Sequence, residues 1–362
     1  MGRLFALVLV MFLLSGCNKS ETLVAWEKTY GAGEARFIRV TADSGLIACG
    51  RSSDQPYLVR LDENKMVVLD FNAEVPGTFT SAWFDTSGYI TGGSTNGKML
   101  LMRHSKTGNI LWEKSIDSGF NIDQTQLLNL GNGTFLAIGS ASPDTIYENN
   151  SGLLFFSFDS TGQVLEELEY SSGDFVASYD ASLDNSGNIY LALTRKEAFS
   201  KSVASVAKFN NQYQRIWELE LANNPDYGAA ALTVLHDGSG VVYVAGRTQL
   251  PSESGGMNNS FLASVSDAGS LNWKKYPENS NSGTALLLNS GGEVMMLNIN
   301  CFIVSKLDAE KGDDAGRIRM FDVCDPYNTD AMASDFDITS DNYLVVAGTL
   351  GGGFYLAVRA VK

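Results

Sequence analysis

Histidine, cysteine and proline are all scarce in this sequence. Its 362 residues include two histidines, four cysteines and seven prolines. A zinc centre or a Ser-His-Asp nucleophile would have to use His104 or His236, and neither has a partner at a recognisable spacing. The sequence therefore predicts no catalytic residue, no metal site and no cofactor. The few prolines, set against 36 glycines, indicate a turn-rich fold and not a disordered chain.

Basic residues are fewer than acidic ones, at 26 against 41, and the formal net charge is −15. Because an acidic surface repels phosphate groups, a nucleic-acid partner is not expected. Long apolar runs are also lacking beyond residue 14, since none approaches the roughly 18 residues that a membrane-spanning helix needs. The sequence therefore predicts that nothing after residue 14 crosses a membrane.

The N-terminus carries the one long apolar run, Leu4–Leu14, directly after the positively charged Arg3. A helix of 11 residues would rise about 16 Å, roughly half of a bilayer core, which is too short to span it and typical of a secretory signal peptide. The run ends in Leu14-Ser15-Gly16-Cys17, which resembles a bacterial lipobox. The resemblance implies that Cys17 is diacylated and becomes the first residue after cleavage. The alternative is an ordinary signal peptide followed by an unmodified cysteine.

This interpretation divides the chain into a signal peptide (1–16), a lipidated cysteine with a polar tether (17–22) and a single domain (23–362). Asn18 follows the cysteine, and by resemblance to lipoprotein sorting in enteric bacteria an asparagine there favours the outer membrane. The protein is therefore expected in the bacterial cell envelope, where it would contact the membrane only through its lipid anchor.

A repeated pattern covers the rest of the chain. Seven segments each follow a turn residue and continue as a run of β-branched, aromatic and aliphatic residues, which is typical of a buried strand. The turn residues are 43 to 54 residues apart, at Gly45, Gly88, Gly133, Gly187, Gly240, Gly292 and Asn342. One strand precedes each segment and two follow it. Each unit therefore predicts four antiparallel strands, which form the blade of a β-propeller.

The two ends of the chain predict how such a ring would close. The last unit stops after three strands, whereas the segment Thr22–Gly31 precedes the first unit as an additional strand. Its Trp26-Glu27-Lys28 matches Trp112-Glu113-Lys114 of a fourth strand. We therefore expect an all-β, seven-bladed propeller in which the N-terminal strand completes the last blade and removes the open sheet edges.

Units that end in Trp-Glu-Lys-x-x-Gly resemble the repeats of bacterial lipid-anchored propellers related to the quinoprotein-like class. The resemblance implies a fold and not an activity, because the vicinal cysteine pair and calcium-binding acidic residues of quinoprotein dehydrogenases have no counterpart here. The tryptophans at this position are interpreted as packing between blades, namely Trp26, Trp112, Trp217 and Trp273. In the sixth unit, Met320-Phe321 stands where the tryptophan is expected.

Two cysteines lie in neighbouring predicted strands of the sixth unit. If Leu307 pairs with Ile318, then Cys301 faces Cys324 across an antiparallel ladder, where a disulfide can form. An export route would permit the oxidation. The alternative is a shifted ladder with two reduced thiols. Cys49 lies in a central strand and is predicted to be an inert core thiol.

A binding face is predicted from unequal connections between second and third strands. The connections in three consecutive units are long, at 140–152, 195–202 and 247–260. Insertions on one face of a repeat fold often mark a binding surface. The residues predicted to form this face are Phe120, Tyr147, Glu148, Phe175, Arg195, Phe199, Tyr227, Arg247 and Tyr327. The aromatic residues of the interblade connections have an alternative role as plugs between blades.

The sequence favours a non-enzymatic envelope lipoprotein that binds a protein or glycan partner as a scaffold. The alternative is a carbohydrate-active hydrolase or lyase, since propellers of that kind gather carboxylates around the central channel. The sequence does not indicate which carboxylates these would be. A channel carboxylate with a raised pKa would favour the enzyme.

Overall fold

The computed structural model describes residues 24–141, 152–171, 175–196, 202–223, 228–249, 258–277, 282–299, 302–319 and 331–360. These ranges contain strands and turns but no helix, so they hold no helical segment that could cross a membrane. Cys17, Tyr147, Glu148, Phe199, Tyr227, Cys301, Cys324 and Tyr327 lie outside the described residues.

The strands of the N-terminal half alternate with short turns. They are β1 (Val24–Val40), β2 (Leu46–Ser52), β3 (Gln55–Leu61), β4 (Val67–Asn72), β5 (Thr78–Asp85), β6 (Gly88–Thr95), β7 (Lys98–Ser105), β8 (Ile110–Ile116), β9 (Gln124–Gly131), β10 (Thr134–Ser140), β11 (Leu153–Asp159), β12 (Val164–Tyr170) and β13 (Phe175–Leu183).

The remaining strands continue the same pattern. They are β14 (Ile189–Lys196), β15 (Val203–Phe209), β16 (Arg215–Asn223), β17 (Ala229–His236), β18 (Val241–Gln249), β19 (Asn258–Ser266), β20 (Leu271–Lys275), β21 (Gly283–Leu288), β22 (Glu293–Asn298), β23 (Ile303–Asp308), β24 (Asp314–Arg319), β25 (Ala331–Ile338), β26 (Tyr343–Leu350) and β27 (Gly353–Ala360).

The described strands form antiparallel sheets of consecutive strands. Five sheets have four strands each, namely β5–β8, β9–β12, β13–β16, β17–β20 and β21–β24. A sixth has seven strands in the order β25-β26-β27-β1-β2-β3-β4. Strand β1 is central in that sheet because its residues 24–32 pair with β27 and its residues 33–40 pair with β2. The long N-terminal strand therefore lies beside the C-terminal strand.

The hydrophobic core is divided into clusters that lie between consecutive groups of strands. One cluster joins β2 and β3 to β5–β7, and the series continues along the chain to a cluster that joins β26 and β27 to β1–β3. Second and third strands are buried on both sides, as in β6, whereas the fourth strand β12 is almost wholly exposed. Repeated four-stranded blades packed face to face in this way form a β-propeller.

The turns of each sheet define two faces. We call the face formed by the turns between first and second strands and between third and fourth strands the lower face; residues 184–188 and 267–270 are examples. The opposite, upper face carries the connections between second and third strands and those between successive sheets. Successive turns alternate between the two faces because each strand runs antiparallel to the one before it.

The strand register of the sixth unit differs from the one assumed for a disulfide. Ile318 pairs with Val304, and Leu307 pairs with Asp314 after an irregularity next to Lys306. The predicted pairing of Leu307 with Ile318 is therefore wrong, because the irregularity shifts the ladder. Cys301 and Cys324 themselves lie outside the described residues. Cys49 is free and buried in β2, which confirms its prediction as a core thiol, and burial raises the pKa of its thiol.

Candidate functional site

Three fourth-strand tryptophans connect neighbouring sheets. Each donates its indole N–H to a backbone carbonyl in the lower-face turn of the next sheet: Trp112 to Ser160 at 3.2 Å, Trp217 to Asp267 at 3.0 Å and Trp273 to Ala309 at 3.3 Å. The prediction that these side chains pack between blades is therefore confirmed. Each ring therefore helps to hold two neighbouring sheets together.

A glycine lies under each of these rings. A Cβ atom on Gly162, Gly269 or Gly312 would lie between 2.7 and 3.0 Å from Trp112, Trp217 or Trp273 respectively. All three glycines also have positive φ angles, which glycine adopts without steric cost. The equivalent position in the sixth unit is Gly316, which pairs with Lys306 as Trp217 pairs with Lys208. Gly316 thus takes the tryptophan position by register, and Met320 and Phe321, which were predicted there, lie outside the described residues.

At the junction between the β9–β12 and β13–β16 sheets, the aromatic ring comes from the turn and not from the fourth strand. In β12 the tryptophan position is occupied by Glu166, and the turn of the next sheet has Tyr213 where the others have glycine. Tyr213 is buried and stacks on Phe155 with ring centroids 5.1 Å apart. An aromatic ring thus fills the same space, but it comes from the opposite side of the junction.

Buried acidic residues of the first strands β25 and β13 bind groups of the strands β1 and β17. Asp335 Oδ2 accepts hydrogen bonds from the Ile38 backbone N–H at 3.0 Å and from Arg39 Nη1 at 2.5 Å. Asp180 Oδ2 accepts in the same way from Thr233 Oγ1 and the Val234 N–H. Asp335 thereby links β25 to β1 within the seven-stranded sheet, and Asp180 links β13 to β17 of the next sheet. Both carboxylates therefore act as structural acceptors.

The two carboxylates are nevertheless electrostatically unusual. Burial raises the pKa of Asp335 to about 6, against the opposing effects of Arg39 and of the backbone donors Ile38 and Phe336. Burial also raises the pKa of Asp180. A raised carboxyl pKa is what a general acid requires. However, both oxygens of Asp335 already accept hydrogen bonds, since Oδ1 binds the Phe336 N–H.

A second cluster lies on the lower face between the β13–β16 and β17–β20 sheets. Asp184, His236 and Asp267 each offer a ligand atom within 4.8 Å of the others, the one such group among the described residues. The sequence spacing indicates no partner for His236, but three turns that are far apart in the sequence meet here. His236 also stacks on Tyr190, with ring centroids 4.9 Å apart.

A lysine supplies the positive charge in this cluster. The buried Lys208 ammonium lies 2.6 Å from Asp267 and 3.9 Å from Asp184. Hydrogen bonds from Lys208 and Tyr190 hold the pKa of Asp267 below its usual value. Burial raises the pKa of Tyr190, and the neighbouring Asp267 raises it further. The group is thus an interblade contact in which one lysine lies between two aspartates.

Among the described members of the predicted binding face, Arg195 and Phe120 have contacts within the sheets. Arg195 Nε lies 2.6 Å from Glu218 Oε1, and Glu218 also pairs with Arg215, beside an open depression of about 540 Å³. Phe120 is half-buried and packs on Gly152, which fits the plug and not an exposed binding residue. Arg247 is half-buried in β18, and Phe175 begins β13.

The comparisons with known proteins show the fold of the chain but no family. No protein-family model matches the chain, and no curated protein matches its sequence. Among solved structures, the chain is similar to the Neurospora crassa Pan2 WD40 domain. The TM-score is 0.63 and the identity 11%, over 93% of this chain and 96% of that one. The likeness supports a β-propeller.

A protein of unknown function from Bacteroides caccae also matches, with a TM-score of 0.46 and 14% identity over 72% of this chain and 82% of that chain.

Proposed function

We propose that the protein is a lipid-anchored propeller of the bacterial cell envelope that holds a protein or glycan partner on its upper face and catalyses no reaction. In this proposal β1 belongs to two blades, as the fourth strand beside β27 and as the first strand beside β2. The seven-stranded sheet then counts as two four-stranded blades, and the ring has seven blades closed by the N-terminal strand. Cys17 carries the lipid, and Asn18 directs the protein to the outer membrane.

The observation that carries the binding role is the placement of the three long connections. They leave from Ser140, Lys196 and Gln249, the last residues of β10, β14 and β18, which are the second strands of three consecutive sheets. All three therefore emerge on the upper face, next to one another. Other second-to-third connections are short, such as Asn96-Gly97. Long connections that leave the same face of a repeat fold are a common place for a macromolecule to bind.

The use of the buried charges supports a rigid scaffold over an enzyme. Asp335 binds a backbone N–H group of β1, and Asp180 binds one of the next sheet. Lys208 binds the two aspartates of its own cluster. Side chains that hold a frame in this way are not free to transfer protons to a substrate. The raised pKa of Asp335 is the observation that favours the hydrolase or lyase alternative.

The test is site-specific crosslinking in intact cells. A photo-reactive residue at Asn96 on the upper face should give an adduct with a defined partner, and the same residue at Thr107 on the lower face is the matched control. Replacing 142–151, 197–201 and 250–257 by Asn-Gly turns should abolish the Asn96 adduct while the thermal unfolding curve stays cooperative. An unchanged adduct would reject the upper-face site. Release of new sugar ends from envelope glycans, lost in Asp335→Asn, would instead support the enzyme.

A further inference from the structure

An exposed apolar residue recurs at one position of the repeat. It directly precedes the tryptophan position of the fourth strand, and its side chain is more than half exposed in four consecutive sheets: Val68 55%, Leu111 58%, Leu165 52% and Ile216 54%. Single exposed apolar residues need no explanation, but a repeated row of them does. Five further exposed apolar residues lie at or directly before the start of a fourth strand: Met66, Val67, Ile110, Val164 and Leu271. We call all nine residues the apolar belt.

The apolar belt lies at the outer edge of the lower face. Its members begin the fourth strands, directly after the lower-face turns between third and fourth strands. Trp83, Leu130 and Tyr343 are exposed at the lower ends of other strands. Among the described residues, all exposed large apolar side chains except Leu168 and Tyr276 therefore lie on the lower-face side. One side of the molecule is selectively apolar at its rim.

The chain enters the domain at the same edge. Val24 pairs with Arg359 at the start of β1, which is a fourth-strand position next to β27. Six residues, 18–23, separate Cys17 from Val24, and they span at most about 20 Å even when fully extended. The inference rests on the proposed lipid anchor at Cys17. Given that anchor, the bilayer surface is held within reach of the belt, and tethering raises the local concentration of lipid there.

The negative charge of the lower face restricts which lipid headgroups it can contact. The net charge is −15, and the lower-face turns carry acidic residues such as Asp62, Asp159, Asp237 and Asp308. Anionic headgroups would therefore repel this face, whereas zwitterionic headgroups would not. Aliphatic side chains at the starts of these strands can reach the boundary between headgroups and acyl chains. The backbone groups that each edge strand leaves unpaired would then stay among the hydrated headgroups.

We propose that the apolar belt is a membrane-contact surface that lies against the zwitterionic lipid surface in which Cys17 is anchored. The lower face then faces the bilayer, and the upper face with its long connections points away from it. A propeller held in this orientation presents its upper face to partners outside the headgroup layer.

The experiment uses the full-length lipidated protein in phosphatidylcholine vesicles, with a photo-reactive residue in place of Leu165. Leu168 is the matched control, because it is an exposed leucine of the same strand nearer the upper face. We expect at least tenfold more lipid adduct at position 165 than at position 168. The combined variant Val68→Ser, Leu111→Ser and Ile216→Ser should reduce the adduct at position 165. Adding phosphatidylglycerol should also reduce it at low salt, and high salt should restore it.

Each contrary result would reject a different part of the proposal. Labelled palmitate incorporated at Cys17 together with equal lipid adducts at positions 165 and 168 would overturn the belt and leave the anchor. Absence of palmitate would overturn the anchor and, with it, this orientation. A protein adduct or a crosslinked dimer at position 165 would replace the lipid by a partner or a second copy. A higher yield with phosphatidylglycerol would overturn the choice of a zwitterionic surface.

Discussion

The indole N–H of Trp217 donates a hydrogen bond to the backbone carbonyl of Asp267, 3.0 Å away in the turn of the next sheet. The ring also covers Gly269 of that turn. The same pair of contacts recurs at Trp112 and Trp273. Neighbouring sheets are therefore joined by a directed bond and not only by apolar packing, which fixes how far one sheet can slide along the next.

Adding a methyl group under Trp217 should loosen this contact. In Gly269→Ala the new Cβ would lie 2.9 Å from the ring, and the φ angle of +84° is also unfavourable for alanine. Gly131→Ala is the matched control, since its φ is +86° but nothing lies within 4 Å. We expect a loss of about 1 kcal/mol in the free energy of unfolding for the control. Gly269→Ala should lose roughly 1 to 3 kcal/mol more through overpacking.

Urea unfolding of both variants measures the difference. Equal losses in the two variants would show that Trp217 can move away at no cost, and the tight contact would be rejected. Trp217→Phe completes the set, because it removes the N–H donor and should cost about 1 kcal/mol.

The reversed junction predicts a compensating double substitution. Tyr213→Gly relieves a positive φ of 59° but removes the ring that stacks on Phe155, so it should destabilise the protein by about 2 kcal/mol or more. Adding Glu166→Trp restores the arrangement of the other junctions and should recover at least half of that loss. A double-mutant cycle by denaturant unfolding measures the coupling. Simple additivity of the two changes would contradict the equivalence of the two arrangements.

His104 should make stability depend on pH. It is fully buried, its Nε2 lies 3.3 Å from Thr91 Oγ1, and burial lowers its pKa from 6.5 to about 4. The folded state therefore binds a proton less readily than the unfolded state. Its contribution is fully present above pH 6.5 and is lost as the pH falls towards 4, by about 3 kcal/mol in total.

His104→Leu is the matched variant, since Leu61 occupies the equivalent position in β3. The free energy of unfolding of the wild-type protein minus that of His104→Leu should fall by about 3 kcal/mol between pH 7 and pH 4, because the carboxylates titrate alike in both. A difference that does not change with pH would show that His104 is not held neutral by burial.

Removal of the N-terminal strand should open the fold. A chain beginning at Gly31 loses the pairing of Trp26 and Tyr30 with β27 and leaves that strand as an unpaired edge. We expect a loss of about 3 kcal/mol or more together with self-association, seen by thermal unfolding and size-exclusion chromatography. A chain beginning at Thr22 is the control and should remain monomeric. Equal behaviour of the two chains would reject closure by β1.

Much of the fold is readable in the sequence because its signals are local. Glycine at a tight turn, a following buried strand and, in several units, a tryptophan near the start of the fourth strand all lie within one repeat, as at Gly187 and Trp217. Backbone angles and strand burial depend on neighbours a few residues away, and so the strands and the packing role of the tryptophans could be predicted.

Other features were decided by the tertiary structure. The register shift at Lys306 depends on how two strands pair. The packing of neighbouring sheets brings Asp184, His236 and Asp267 together, and it also decides the exchange of roles between Glu166 and Tyr213. The belt around Leu111 depends on which strand ends share an edge with Val24. A local pattern does not specify these relationships, because register and the placement of sheets are set by contacts between residues that are far apart in the chain. The sequence thus determined the repeating unit, and the packing of the units determined which side chains meet.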